Sequence, residues 1–146
     1  MTDPWPKKVR DFPQGNETLV LLGFKITCRN SPDQTGSGTG GHMEDITIQK
    51  VKSGAKLALT TQCWGSVAIL ESHRGWPQLE VWSRAGGGGW CRSLFRFTGR
   101  DYERVRIDDF DANEANAKDK SNTASAPNGE DAGGYYVGSR IPDSAK

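Results

Sequence analysis

Long apolar runs are missing from this sequence of 146 residues. The longest, Leu19 to Phe24, has the length of a strand and falls far short of the roughly 18 residues that cross a bilayer as a helix, so no membrane span is expected. Histidine is scarce, with only His42 and His73, and cysteine is limited to Cys28, Cys63 and Cys91. No Cys-x-x-Cys, His-Glu-x-x-His or Gly-x-Ser-x-Gly occurs, which removes the spacings that announce a zinc site or a serine hydrolase. Neither charge sign dominates: 19 basic against 18 acidic side chains give a formal charge of +1. Such a balance carries no nucleic-acid footprint. The apolar fraction is 34%, low for a globular chain, whereas glycine is abundant at 18 residues. That combination predicts a modest core with long loops.

The chain has the length of one domain. Its start, Met-Thr-Asp-Pro-Trp-Pro-Lys-Lys, lacks the apolar middle and small-residue cleavage site of a secretory signal. The expected location is therefore cytoplasmic, or periplasmic or secreted if a signal has been removed. An odd number of cysteines allows one disulfide at most, with Cys63–Cys91 the attractive pair, against three buried thiols in a reducing compartment.

The apolar pattern is that of strands. Residues 18–28 begin as a continuous Leu-rich run, which could start a short helix, and then alternate Phe24, Ile26 and Cys28 against Lys25 and Thr27. Ile46 and Ile48 alternate with Thr47 and Gln49. Lys52 to Ala55 is a tight turn, and Leu57, Leu59 and Thr61 alternate with Ala58 and Thr60, which together predict a hairpin. Further strands are expected around 63–70, 79–84, 91–97 and 102–107, with a turn at 98–101. From Asp108 the composition turns polar, and Ala112 to Asp119 could nucleate a helical turn or two. Tyr135, Tyr136, Val137 and Ile141 carry enough apolar surface for a docking strand. The expected fold is mostly β: an antiparallel sandwich or meander of about six to seven short strands, with a flexible acidic loop and a short C-terminal strand. It divides into an irregular, proline-rich segment at 1–16, a β domain at 17–110, and a polar loop with docking strand and tail at 111–146.

Gly75-Trp76-Pro77-Gln78-Leu79-Glu80-Val81-Trp82-Ser83, the glycines 86–89, and Leu94-Phe95-Arg96-Phe97-Thr98-Gly99-Arg100-Asp101-Tyr102 make a strand, a Gly-rich turn, and a second strand with its turn. Residues 36–106 resemble, on this pattern, the single FG-GAP-like hairpin of small bacterial envelope β-proteins of unassigned role. The resemblance implies a β fold and export. Gln78 and Thr98 stand where the pattern prefers Asp, and the Asp-x-Asn-Gly-Asp-Gly calcium loop of true FG-GAP repeats is absent. A single unit excludes a propeller.

Few residues suggest chemistry. Both histidines are expected to be solvated loop residues. Asp109, Asp111 and Asn113 have the alternate spacing of a calcium loop, but Glu114 replaces its glycine and Lys120 its bidentate Glu, so they are weak calcium candidates and no metal or other cofactor is expected. Arg92, Arg96, Arg104 and Arg106, interleaved with aromatics, are expected to share one sheet face, diluted by acidic neighbours. Trp82 alternates with Leu79 and Val81 and so faces away from them. An exposed Trp beside a Gly-rich loop and Arg84 has the composition of a protein-binding hot spot. The expected binding surface is Trp82, Arg84, Gly87, Gly88, Trp90 and Arg92, together with the loop at 36–41. The expected function is a non-enzymatic protein-binding module: an inhibitor or immunity protein that sterically blocks a secreted or envelope hydrolase, such as a toxin or a cell-wall or lipid hydrolase. A carbohydrate- or small-ligand-binding accessory module is the alternative. An enzyme with a cysteine nucleophile and a histidine base is a third reading.

Overall fold

A computed structural model describes residues 4–12, 17–30, 42–63, 66–84, 89–111 and 135–140. Among them there is no helix, and ten strands form two antiparallel sheets. The smaller sheet is a meander of β2 (Glu17–Leu21), β3 (Phe24–Asn30), β4 (His42–Lys50) and β5 (Lys56–Cys63). The larger runs through β6 (Val67–His73), β7 (Trp76–Arg84), β8 (Trp90–Phe97), β9 (Tyr102–Asp111) and β10 (Tyr135–Arg140), with β1 (Lys8–Phe12) added beside β6. The expected β fold and the short C-terminal strand are both present.

There are ten strands where six or seven were expected, and two causes account for most of the difference. β1 lies inside the segment read as irregular: Lys8 to Phe12 falls between Pro6 and Pro13 and pairs with β6. Prolines bounding an edge strand do not interrupt its ladder. The run 18–28 is two strands, because Leu22 and Gly23 form a two-residue turn between the paired Leu21 and Phe24. Both turn residues have positive φ, 54° and 83°. That is the type I′ pattern, whose usual signal is Asn-Gly or Asp-Gly, so a leucine in the first place hides it. Arg74 and Gly75, at 55° and 81°, make a second turn of this kind between β6 and β7.

The core lies between the sheets. Phe24, Ile26, Ile46 and Ile48 of the small sheet meet Ile69, Trp76, Leu79, Val81, Phe95 and Tyr102 of the large one. Alternate residues of each strand point inward, which is the pleat geometry that the Ile46/Ile48 spacing anticipates. Each fully buried aliphatic side chain contributes roughly 1.5–3 kcal/mol. Trp76 anchors one end of this core, with Phe24 and Phe97 at 5.6 and 5.7 Å and Tyr102 edge-on at 6.4 Å. The Tyr102 hydroxyl donates to the Pro77 carbonyl at 2.6 Å, which satisfies a buried polar group inside the apolar layer.

The large sheet is covered on its outer face as well. From Trp76 through Trp82 every residue of β7 is buried. Over the outer face, Trp5 and Val105 pack on Ala68, Leu70 and Leu94. The N-terminal segment is therefore part of the packed structure: the Lys7 amide donates to the Glu71 carboxylate at 2.5 Å.

The two longest connections lie at the same end. At one end the strands are joined by short turns at 22–23, 51–55, 74–75 and 98–101. At the other, the chain passes between strands through 13–16, 31–41, 64–65, 85–88 and 112–134, all outside the described residues.

Candidate functional site

The outer face of the large sheet gathers most of the charged and aromatic residues that the sequence singles out. Asp108 of β9 lies opposite Arg92 of β8 and is fully buried. Arg92 Nη2 reaches Asp108 Oδ2 at 2.8 Å, with Nε at 3.1 Å. Arg106, on the same face of β9, brings Nε to Oδ1 at 2.8 Å, and the Ser139 hydroxyl of β10 donates to the same carboxylate. A carboxylate buried this deeply is held only because two guanidiniums and a hydroxyl replace its water.

Trp5 lies over this cluster. Its ring sits 3.9 Å from the Arg92 guanidinium and 5.0 Å from that of Arg106. Glu80 of β7 is also buried, and its two oxygens accept the indole N–H groups of Trp5 and Trp82 at 2.8 and 2.9 Å. Gln78 continues the row, accepting from Arg96 Nε at 2.8 Å and donating to the Glu71 carbonyl at 2.9 Å.

The predicted binding residues are largely absorbed into this network. Trp82 faces away from Leu79 and Val81 as expected, but it is not an exposed hot spot: 3% of its surface is accessible. Phe110 and Trp90 pack against it, with centroids at 5.4 and 6.4 Å. The expectation failed because this sheet is buried on both faces. Trp90 is half-buried with the Arg84 guanidinium 5.1 Å over its ring, and Arg92 is half-buried in the ion cluster. These two, with Arg84, remain in part accessible. Gly87, Gly88 and the loop at 36–41 lie outside the described residues.

Other expectations are corrected. Asp108 to Asp111 is not a solvated acidic loop but the end of β9, because Phe110 and Asp108 turn toward the covered face. Asp109 points the other way and accepts the Cys91 thiol at 3.2 Å, while Asn113 lies outside the described residues. Among the described residues no three His, Cys, Asp or Glu side chains are placed to hold a metal ion. The four arginines do not share one face: a register shift at Leu94/Phe95 sets Arg104 opposite the inward Phe95, while Arg92, Arg96 and Arg106 stay outside. His42 opens β4 and His73 closes β6, so both are strand residues and not loop residues.

The cysteines form no disulfide and all three are buried. Cys28 Sγ donates to the buried Glu44 carboxylate at 3.4 Å. Burial, with Glu44 adding, pushes the Cys28 thiol well above the ordinary range. It stays protonated at neutral pH, the reverse of what an activated nucleophile needs. Burial likewise raises the Tyr102 hydroxyl.

A cleft of about 520 Å³ opens along the side of the sandwich, lined by Leu59, Phe95, Tyr102, Arg100, Asp101 and Glu103 among others. None of the predicted binding residues lies in it. Sequence reading also missed Trp5, Glu80, Asp108 and Ser139. The available signals were an aromatic between two prolines, Pro4-Trp5-Pro6, and a Glu two residues from Trp82 on the same strand face.

Compared with models of known families, with characterised proteins and with solved structures, the chain matches none.

Proposed function

We propose that this protein is a non-enzymatic binding module whose partner, a second protein, docks on the end of the sandwich where the longer connections leave the strands. What supports this reading is the polarity of the fold. One end is closed by turns at 22–23, 51–55, 74–75 and 98–101, while the two longest connections, 31–41 and 112–134, leave paired strand ends at the other. Binding residues concentrate on loops held by a rigid framework. Arg84 and Trp90 stand at the rim of that end, paired across β7 and β8, and offer an arginine and an indole to a partner. Within this reading, an inhibitor or immunity role against a secreted or envelope hydrolase rests on the small β scaffold, its Gly-rich segments and the Arg84–Trp90 pair, and a periplasmic location rests on the sequence resemblance.

The test is capture with a paired control. Immobilised protein and a variant with 85–88 replaced by a short Asn-Gly turn are exposed to the same extract. One stoichiometric protein retained by the parent and lost by the variant supports the reading. Equal retention by both moves the interface elsewhere.

A second reading, a small-ligand or carbohydrate module, draws on the side cleft. It no longer draws on Trp82, whose ring is covered. Among the described residues the exposed large apolar side chains are aliphatic: Val9, Val20, Leu22 and Val51. Sugar stacking needs an open ring face, so a glycan screen is expected to return nothing that depends on Trp82.

A further inference from the structure

The short-turn end of the sandwich is a single tied surface. The Val51 amide donates to the Gly23 carbonyl at 2.9 Å, joining the β2–β3 and β4–β5 turns. Lys50 Nζ reaches over the Trp76 ring at 4.7 Å and lies beside Gly75, bringing in the β6–β7 turn. Arg74 Nη1 donates to the Thr98 carbonyl at 3.2 Å, which adds the β8–β9 turn.

Two properties distinguish this surface. Its apolar groups are out in solvent: Leu22 is 65% exposed, Val51 57%, and Val20, one residue before the end of β2, 67%. Leu22 also holds φ at 54°, a conformation a branched L-residue adopts at a cost and that Asn or Gly would adopt more easily. The isolated fold gains nothing from a leucine there. Second, the segments 22–25, 50–56, 73–75 and 98–103 carry Lys25, Lys50, Lys52, Lys56, Arg74 and Arg100 against two acids, Asp101 and Glu103, the latter accepting the Thr98 hydroxyl. The whole chain has a formal charge of only +1, so the rest of the molecule is net negative and the net positive charge sits at this end.

We propose that this end docks on an anionic phospholipid surface, with Leu22 and Val51 entering the headgroup boundary and the surrounding lysines and arginines meeting lipid phosphates. Aliphatic tips on separate turns match a fluid apolar layer better than the aromatic, pocketed centre of a protein interface. Four of the six cations are lysines, flexible point charges suited to a diffuse negative field. Docking here leaves the opposite end of the sandwich facing away from the membrane, so the inference is independent of the proposed partner site.

The experiment is vesicle co-sedimentation of the full chain, with phosphatidylcholine alone and with equal parts phosphatidylcholine and phosphatidylglycerol. The parent is expected to sediment only with the anionic vesicles, less so as salt rises. Leu22→Asn suits the turn, so it is expected to melt no lower than the parent yet to partition roughly tenfold less, the order set by withdrawing one leucine from an apolar layer. Lys52→Gln is expected to lower partitioning roughly fivefold, the value of one cation near an anionic leaflet. Equal binding to neutral and anionic vesicles, no binding to either, or undiminished binding by folded Leu22→Asn overturns the proposal. So does a parent that ignores vesicles and instead binds an acidic polypeptide through these lysines.

Discussion

Trp5 and Glu80 are 75 residues apart in the chain, yet the Trp5 indole N–H donates to Glu80 Oε1 at 2.8 Å. The other oxygen of the same carboxylate takes Trp82 at 2.9 Å. One buried Glu therefore joins the N-terminal segment to the central strand of the large sheet. Trp5→Ala removes the ring that covers Arg92 and leaves Glu80 Oε1 without its donor. The expected loss is about 2–3 kcal/mol, from lost burial and an unmade hydrogen bond to a charged group. Urea unfolding measures it, and a change below the scatter of exposed-site substitutions means that the segment does not hold the sheet.

Asp108 is the second joint. Asp108→Ala removes the carboxylate shared by two guanidiniums, each less than a fifth exposed, and the Ser139 hydroxyl. Breaking a buried ion cluster from one side costs about 3–5 kcal/mol. A double variant separates structure from charge: Arg106→Leu with Asp108→Leu, replacing polar with apolar volume, is expected to recover part of the loss. A single Asp108→Ala variant as stable as the parent contradicts the role given to this carboxylate.

Thiol chemistry follows from burial. Cys28, Cys63 and Cys91 are 5%, 2% and 8% exposed, and the Cys28 thiol is raised by desolvation first and Glu44 second. A thiol reagent at neutral pH is expected to label the folded protein slowly and to reach all three cysteines only in denaturant. Rapid labelling of any of them in the native protein would show a thiol exposed beyond its place in the fold.

His73 gives the pH dependence. Desolvation, then Arg96 and Arg74, lower its pKa from the ordinary 6.5. The unfolded chain thus takes up this proton at higher pH than the folded one. The stabilising contribution is present above the unfolded value and is lost as pH falls through the folded one. Proton resonances of the imidazole are expected to titrate below pH 6.5. His73→Asn is expected to lose less stability than the parent on acidification from neutral pH, and a larger loss in the variant reverses the sign.

Strand content was legible because the period of two survives in Ile46/Ile48, Leu57/Leu59 and Leu79/Val81, where one face is apolar. The 52–55 and 98–101 turns were legible from their glycines. The Leu22-Gly23 turn was not, since leucine supplies no turn signal. β1 was obscured by the prolines on either side of it. Of the candidate site, the residue types were legible but their exposure was not: Trp82, Arg84, Trp90 and Arg92 do come together, with Trp82 covered and the other three partly accessible.

The sequence alone determined that the chain is β, roughly where it turns, and that its described strands end in a short docking strand, because pleat periodicity and turn chemistry are local. Only the tertiary structure decided that both faces of the large sheet are buried and that Asp108 is a core carboxylate. It also decided that the cations of four separate turns meet at one end. Those facts depend on strand order and register, which bring together residues far apart in the chain through contacts that local pattern does not encode.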